Sequence, residues 1–169
     1  STAATSPTRA LRELRDAALR SATEPDVLSR AHSMCDAVAD AIEYEAGATD
    51  ASTSAAEALE RGKGVCQDHA HALIALAHAA DLPARYVTGY LLARDDGAAE
   101  DASHAWAEIH VEGLGWVGFD PANRCCPDAR YVRLGSGRDA LDAAPIRGVS
   151  RGGGVEALDV TVEVSSAQQ

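Results

Sequence analysis

Gly62-Lys63-Gly64-Val65-Cys66-Gln67-Asp68-His69-Ala70-His71-Ala72-Leu73-Ile74-Ala75-Leu76-Ala77, residues 62–77, is the stretch on which the fold turns. From Cys66 to about Ala80, the residues Ala70, Leu73, Ile74 and Ala77 form an apolar stripe. Traced back by turns of about 3.6 residues, that stripe runs along Cys66 itself. Gly62 and Gly64 break the preceding helix just ahead of the cysteine. The spacing predicts a buried helix that Cys66 opens. At such a position the unpaired N–H groups and the macrodipole favour thiolate over thiol, and Lys63 adds positive charge. The Cys66 N–H also falls where an oxyanion would form on an attacked carbonyl. Alone, a helix-opening cysteine is more often an inert small hydrophobe, so its partners decide.

Those partners lie downstream. In the segment 103–111, SHAWAEIHV, Ala105, Ala107, Ile109 and Val111 alternate with His104, Trp106, Glu108 and His110, so His104 faces away from the aliphatic side of a strand. In GWVGFDP, residues 115–121, Val117 and Phe119 are the aliphatic set and Asp120 lies on the other face. If the two strands pair as a hairpin with both aliphatic sets on the core, opposed residue numbers sum to an even value. His104 then stands directly opposite Asp120 or one diagonal step away, and either separation lets a carboxylate hold an imidazole. Cys66, His104 and Asp120 thus have the chain order and placement of nucleophile, base and orienter.

The flanks predict an α+β domain. Ser6 and Pro7 read as a helix start, followed by Leu11, Leu14, Ala17 and Ala18 at helical spacing. A second helix begins near Pro25, with Leu28, Ala31, His32, Cys35, Val38, Ala39 and Ile42 on one stripe until Gly47, so Cys35 and His32 read as core residues. Ser54 and Glu57 have the spacing of a capping box for a short third helix. Strand patterns follow at Arg85–Leu92, 104–111 and 116–119, and again where Leu158, Val160, Val162 and Val164 alternate with polar residues. Residues 123–154 read as long surface connections with one short strand around Tyr131 to Leu134. Helices first and strands later, without βαβ alternation, give N-terminal helices with the Cys66 helix packed on a mostly antiparallel sheet. We expect one domain over residues 1–169, with a flexible start at 1–6 and a flexible tail at 165–169.

Composition narrows the partners. With 15 basic against 26 acidic side chains, the formal charge of −11 disfavours nucleic acid and anionic membrane. Aromatic residues are only 4% of the chain, so Ala, Leu and Val must fill most of the interior. The four cysteines, Cys35, Cys66, Cys125 and Cys126, are spaced too unevenly for a disulfide framework. That spacing, with no membrane-length apolar run and no leader-like start, leads us to expect a cytoplasmic setting.

The segments GKGVCQDHAHALIALAHAADLPARYVTGYL (62–91) and SHAWAEIHVEGLGWVGFDPAN (103–123) closely resemble the core of bacterial transglutaminase-like proteins, within the transglutaminase and papain-like superfamily. YEAGATDASTSAAEAL (44–59) and GRDALDAAPIRGVSRGGG (137–154) are similar to that family as well. The resemblance implies a Cys-bearing helix on an antiparallel sheet. It also makes the cysteine of the GVCQD segment the nucleophile, the histidine of the HAW segment the base and the aspartate of the FDP segment its orienter, here Cys66, His104 and Asp120. Two features depart from the family: His69 stands where an aromatic such as Phe is expected, and Cys125 and Cys126 are additions.

The expected chemistry is acyl transfer through a thioester on Cys66, resolved by water (protease or amidase) or by an amine (transamidation of a glutamine side chain). The partners are then a protein or peptide substrate and, for transfer, an amine acceptor. No cofactor and no metal is called for. Cys66, His69, His71, Cys125 and Cys126 are zinc-ligand types, but no CxxC pair exists, and His71 and His78 lie on a polar flank of the helix away from the thiol. Asn123 is a weaker orienter than Asp120, since it follows Pro121 and leaves the ladder. Tyr44 and Gln67 are candidates for a second oxyanion donor, and Arg85 reads as half of a structural ion pair. The alternative is a non-catalytic peptide-binding domain of the same fold.

Overall fold

The computed structural model describes residues 1–92 and 103–146. Helices α1 (Arg9–Ser21), α2 (Val27–Ala41) and α3 (Ala55–Arg61) lead to α4 (Cys66–Ala79), with the short strands β1 (Glu43–Tyr44) and β2 (Lys63–Gly64) paired in parallel between them. Strands β3 (Ala84–Leu91), β4 (Ser103–Val111), β5 (Gly115–Phe119) and β6 (Tyr131–Gly137) follow, then the short helix α5 (Ala140–Ala143). The main sheet is wholly antiparallel in the order β5-β4-β3-β6. This is the expected α+β arrangement. The alternating segment 158–164 and the tail 165–169 lie outside the described residues.

Helix α4 is the centre. It is buried without a break from Asp68 to Ala77, packed on α1, α2 and α3 on one side and on β3 and β4 on the other. Ala70, Ala72, Ala75 and Ala77 are fully buried. Small side chains there let neighbours approach on every side, while Leu73, Ile74 and Leu76 fill the larger gaps. The even register holds: Ala107 pairs with Phe119 and Ile109 with Val117, placing Ala105, Ala107, Ile109 and Phe119 on the helix side.

The opposite sheet face is partly covered too. Trp106, 3% exposed, lies beside Gly89 and beneath the turn after β5, where Pro127 packs on Gly118. Arg85 binds Glu108 at 2.6 Å on the neighbouring strand, the structural ion pair expected of it, and Arg133 reaches the same carboxylate at 3.2 Å. The guanidinium of Arg85 also stacks over Trp116, 4.1 Å from the ring centre.

Several boundaries differ from the sequence reading. Helix α1 starts at Arg9 because Thr8 takes the extended cap conformation and its carbonyl accepts from Arg12 N–H, leaving Ser6 and Pro7 ahead of the cap. Within the first six residues Thr5 is buried, and the Ala4 carbonyl accepts from Ala55 N–H at 2.9 Å. Helix α2 begins at Val27 behind an Asp26 cap. It ends at Ala41, well before Gly47, because residues 43–44 are drawn into pairing with 63–64. His32 is exposed and rests edge-on against Phe119, while Met34 takes the core position the stripe had assigned to it. His71, expected on a polar flank, is 2% exposed, because α5 closes over that side of α4. Strand β6 runs on to Gly137. Its glycines, which read as a loop signal, are where α5 comes closest: a Cβ on Gly137 would stand 2.5 Å from Ala143 N.

Gly89 tests this packing. A Cβ there would collide with the Val132 carbonyl and the Trp106 ring, whereas one on Gly113 meets nothing and carries only the strain of a positive φ (+82°). Gly89→Ala should cost about 2–4 kcal/mol and Gly113→Ala about 1 kcal/mol in urea denaturation. Equal losses would show that Gly89 is not a close-packed position.

Candidate active site

The turn before α4 is built to present Cys66. Gly62 ends α3 in the left-handed conformation (φ +66°), and Gly64 lets the chain pass the Asp68 carboxylate, which a Cβ would approach to 2.8 Å. Asp68 accepts from Val65 N–H at 2.8 Å and from the Thr49 hydroxyl at 2.5 Å, closing the turn over the first residues of the helix. His69 has ring nitrogens 2.8 Å from the Val65 carbonyl and 2.9 Å from the Ile42 carbonyl. Polar tethers therefore occupy the place where an apolar aromatic was expected. The first carbonyl–amide bonds of the helix, from Asp68 N and His69 N, both go to Val65 O. The Cys66 and Gln67 N–H groups precede them at the positive end of the dipole.

Lys63, expected as a positive charge beside the thiol, is paired with Glu45 at 2.5 Å, and that bond followed by Glu43 raises its pKa. The Gln67 side-chain amide donates to the Ala51 carbonyl at 3.3 Å, and Tyr44, 56% exposed, stands at the rim beside His69.

His104 is the second residue of β4, and Asp120 directly follows the last residue of β5. The observed register makes them diagonal neighbours, one of the two arrangements that strand parity allows. Their bond is short: His104 Nε2 lies 2.6 Å from Asp120 Oδ2. The Cys66 side chain lies close enough to the same imidazole to favour its charged form. The three residues singled out by the sequence thus meet at one point. Burial pulls the His104 pKa down, but the bond to Asp120 and the neighbouring Cys66 side chain outweigh it and raise it to about 9. For Asp120, fully enclosed, burial pushes the carboxyl up. The donors His104, Asn123 and Tyr131 reverse that and hold it below its ordinary value.

The surroundings of Asp120 were largely missed from sequence. Asn123, weighed only as a substitute for it, instead supports it, donating Nδ2–H to Oδ2 at 2.8 Å and N–H to Oδ1 at 3.3 Å. Tyr131, read as the start of a surface strand, donates its hydroxyl to Oδ2 at 2.8 Å. A backbone bridge between Asp120 and Cys125 closes the turn. Arg124, at φ +51°, ties the turn to α2 through Asp40 and the Ala39 carbonyl. No sequence periodicity marks such a turn; only its proline and polar residues hint at one.

The model of the transglutaminase-like superfamily matches residues 14–121, which include all three residues. The chain belongs to this superfamily. An uncharacterized protein of Mycobacterium leprae is 37% identical over 128 residues, 73% of this chain and 45% of the relative. An uncharacterized protein of Mycobacterium tuberculosis is 38% identical over 131 residues, 72% of this chain and 42% of the relative. The chain thus spans less than half the length of these relatives. Among solved structures, the "Putative Cysteine Protease" of Cytophaga hutchinsonii aligns over 82% of this chain and 47% of its own at 35% identity, with a TM-score of 0.66. The periplasmic domain of TgpA from Pseudomonas aeruginosa shares the fold at 19% identity, over 73% of this chain and 45% of its own, with a TM-score of 0.54. Membership in the superfamily groups the chain with papain-like cysteine enzymes. No helix among the described residues is long and apolar enough to cross a membrane.

The raised pKa of His104 has a signed consequence for stability. The folded state holds the imidazolium proton more tightly than the unfolded chain does, so this contribution is complete below the ordinary value near 6.5 and is lost as pH rises through about 9. The stability difference between the parent and His104→Ala should be widest near about pH 6, on the order of 2–3 kcal/mol, and should shrink steadily toward about pH 9. A pH-independent difference in denaturant midpoints would contradict the charged pair.

Proposed function

We propose that Cys66, His104 and Asp120 form a catalytic triad that transfers an acyl group through a thioester, with hydrolysis of a peptide or amide bond as the principal reaction. The observation that carries this is a single imidazole held at 2.6 Å by a buried carboxylate, with the Cys66 side chain beside it favouring the charged ring. With the thiol proton already held on His104, the sulfur attacks the carbonyl carbon. The resulting oxyanion sits toward the helix N-terminus, where the Cys66 N–H is a donor. His104 then returns the proton to the leaving amine, the C–N bond breaks and a thioester remains. Water, deprotonated by the same ring, releases the acid and restores the thiol. Asp120 holds the ring in one orientation throughout and stabilises its charged form. The likeness to the Cytophaga hutchinsonii structure supports water as acceptor. Transfer to an amine, as in transamidation of a glutamine side chain, is the same chemistry with a different second nucleophile.

Iodoacetamide labelling of the four cysteines, resolved by peptide mass, tests the triad without a known substrate. At about pH 7 Cys66 should outrun Cys126, the exposed thiol, and Cys35, which is buried. Replacing His104 by Ala should slow Cys66 on the order of 100-fold and leave the others unchanged. A Cys66 that labels no faster than Cys126 would sink the catalytic reading in favour of a peptide-binding domain of the same fold. Given activity, adding a primary amine to an amide substrate separates the acceptors: free acid marks hydrolysis, and a new amide marks transfer.

A further inference from the structure

Asp120 Oδ2 is crowded by three donors: His104 Nε2 at 2.6 Å, Asn123 Nδ2 at 2.8 Å and the Tyr131 hydroxyl at 2.8 Å. Asn123 lies in the same turn and moves with Asp120. Tyr131 belongs to β6, at the far edge of the sheet, so its bond anchors the carboxylate to a separate strand. The ring is fixed as well. It meets Trp106 edge-on at 5.4 Å and His104 at 5.7 Å, and Trp106 is itself buried. One side chain therefore touches both the orienter and the ring it orients.

The direction of the hydroxyl is set from behind. Cys125 Sγ lies 3.3 Å from Tyr131 Oη. An ionised carboxylate can only accept, so the phenolic proton points at Asp120 and the phenolic oxygen accepts a hydrogen bond from the Cys125 thiol. Burial and the bond to Asp120 push the phenol well above its ordinary range, so it stays a donor. The titratable and charged groups facing this cluster include His104 on β4, Cys35 on α2, Cys126 beside Cys125, and Arg130, which precedes Tyr131.

We propose that Tyr131 is a positioning residue of this site, locking the Asp120 carboxylate in the orientation that faces His104, and that Cys125 sets the direction of the Tyr131 hydroxyl. The proposal rests on the triad reading and gives a role to Cys125.

The test uses this chain with carboxyl-13C aspartate and reads the Asp120 titration midpoint alongside the Cys66 labelling rate. Tyr131→Phe keeps the ring and removes the donor. Cys66 should then label about tenfold more slowly, and the Asp120 midpoint should move up, because a bond to its charged form is gone. Cys125→Ala should slow Cys66 about threefold, and Cys125→Ser, which restores a donor, should recover the parent rate. An unmoved Asp120 midpoint in Tyr131→Phe would overturn the proposal and leave Tyr131 as packing. Identical rates in Cys125→Ala and the parent would overturn the part assigned to the thiol. Should Tyr131→Phe fail to fold, the Cys125 pair decides, and equal Asp120 midpoints in parent, Ala and Ser would overturn the whole chain of donors. If Cys66 is slow even in the parent, the triad reading is what has failed. The Asp120 midpoint still reports separately on Tyr131.

Discussion

The enclosure of α4 on all sides is the constraint on which the rest of the molecule depends. A helix buried from Asp68 to Ala77 cannot expose its flank to a substrate. Only its two ends are open, and at the N-terminal one Cys66 stands partly exposed and backbone N–H groups precede the first internal hydrogen bond. Interior packing and the site's electrostatics have one origin here: the alanines that let three helices and two strands close round α4 also direct its dipole at the sulfur.

Presenting the cysteine then falls to polar groups that would be costly to bury unpaired. Asp68 and His69 are almost wholly enclosed, and they hold the turn through the Val65 amide and carbonyl, the Ile42 carbonyl and Thr49. On the sheet side Asp120 is enclosed in the same way. It remains an acceptor because its donors outweigh the burial that would neutralise it. The imidazole lies between these two rigid units, and both of its partners favour the protonated ring.

Rigidity also explains the turn after β5. Asp120 follows the last residue of the strand, where regular pairing has ended and a side chain would otherwise be free to rotate. The bridge to Cys125, the amide of Asn123 and the hydroxyl of Tyr131 replace the missing ladder, and Arg124 fastens the turn to α2. A carboxylate that must hold a ring in one orientation needs such a surround, since each lost degree of freedom is one the ring need not surrender during reaction.

What the sequence by itself determined follows from local periodicity. A period near 3.6 placed Cys66 at the head of a buried helix, and a period of two placed His104 and Asp120 on one sheet face with only two registers open. The capping box at Ser54 and Glu57 was equally legible, being a matter of three-residue spacing. Tertiary structure decided the rest. It chose the diagonal register, turned α2 so that Met34 rather than His32 entered the core, buried His71 under α5, and paired Lys63 with Glu45. It brought Tyr131 from a glycine-rich segment to the Asp120 carboxylate. These outcomes depend on contacts between segments far apart in the chain, and neither spacing nor composition encodes such contacts because they form only once the layers have closed on one another.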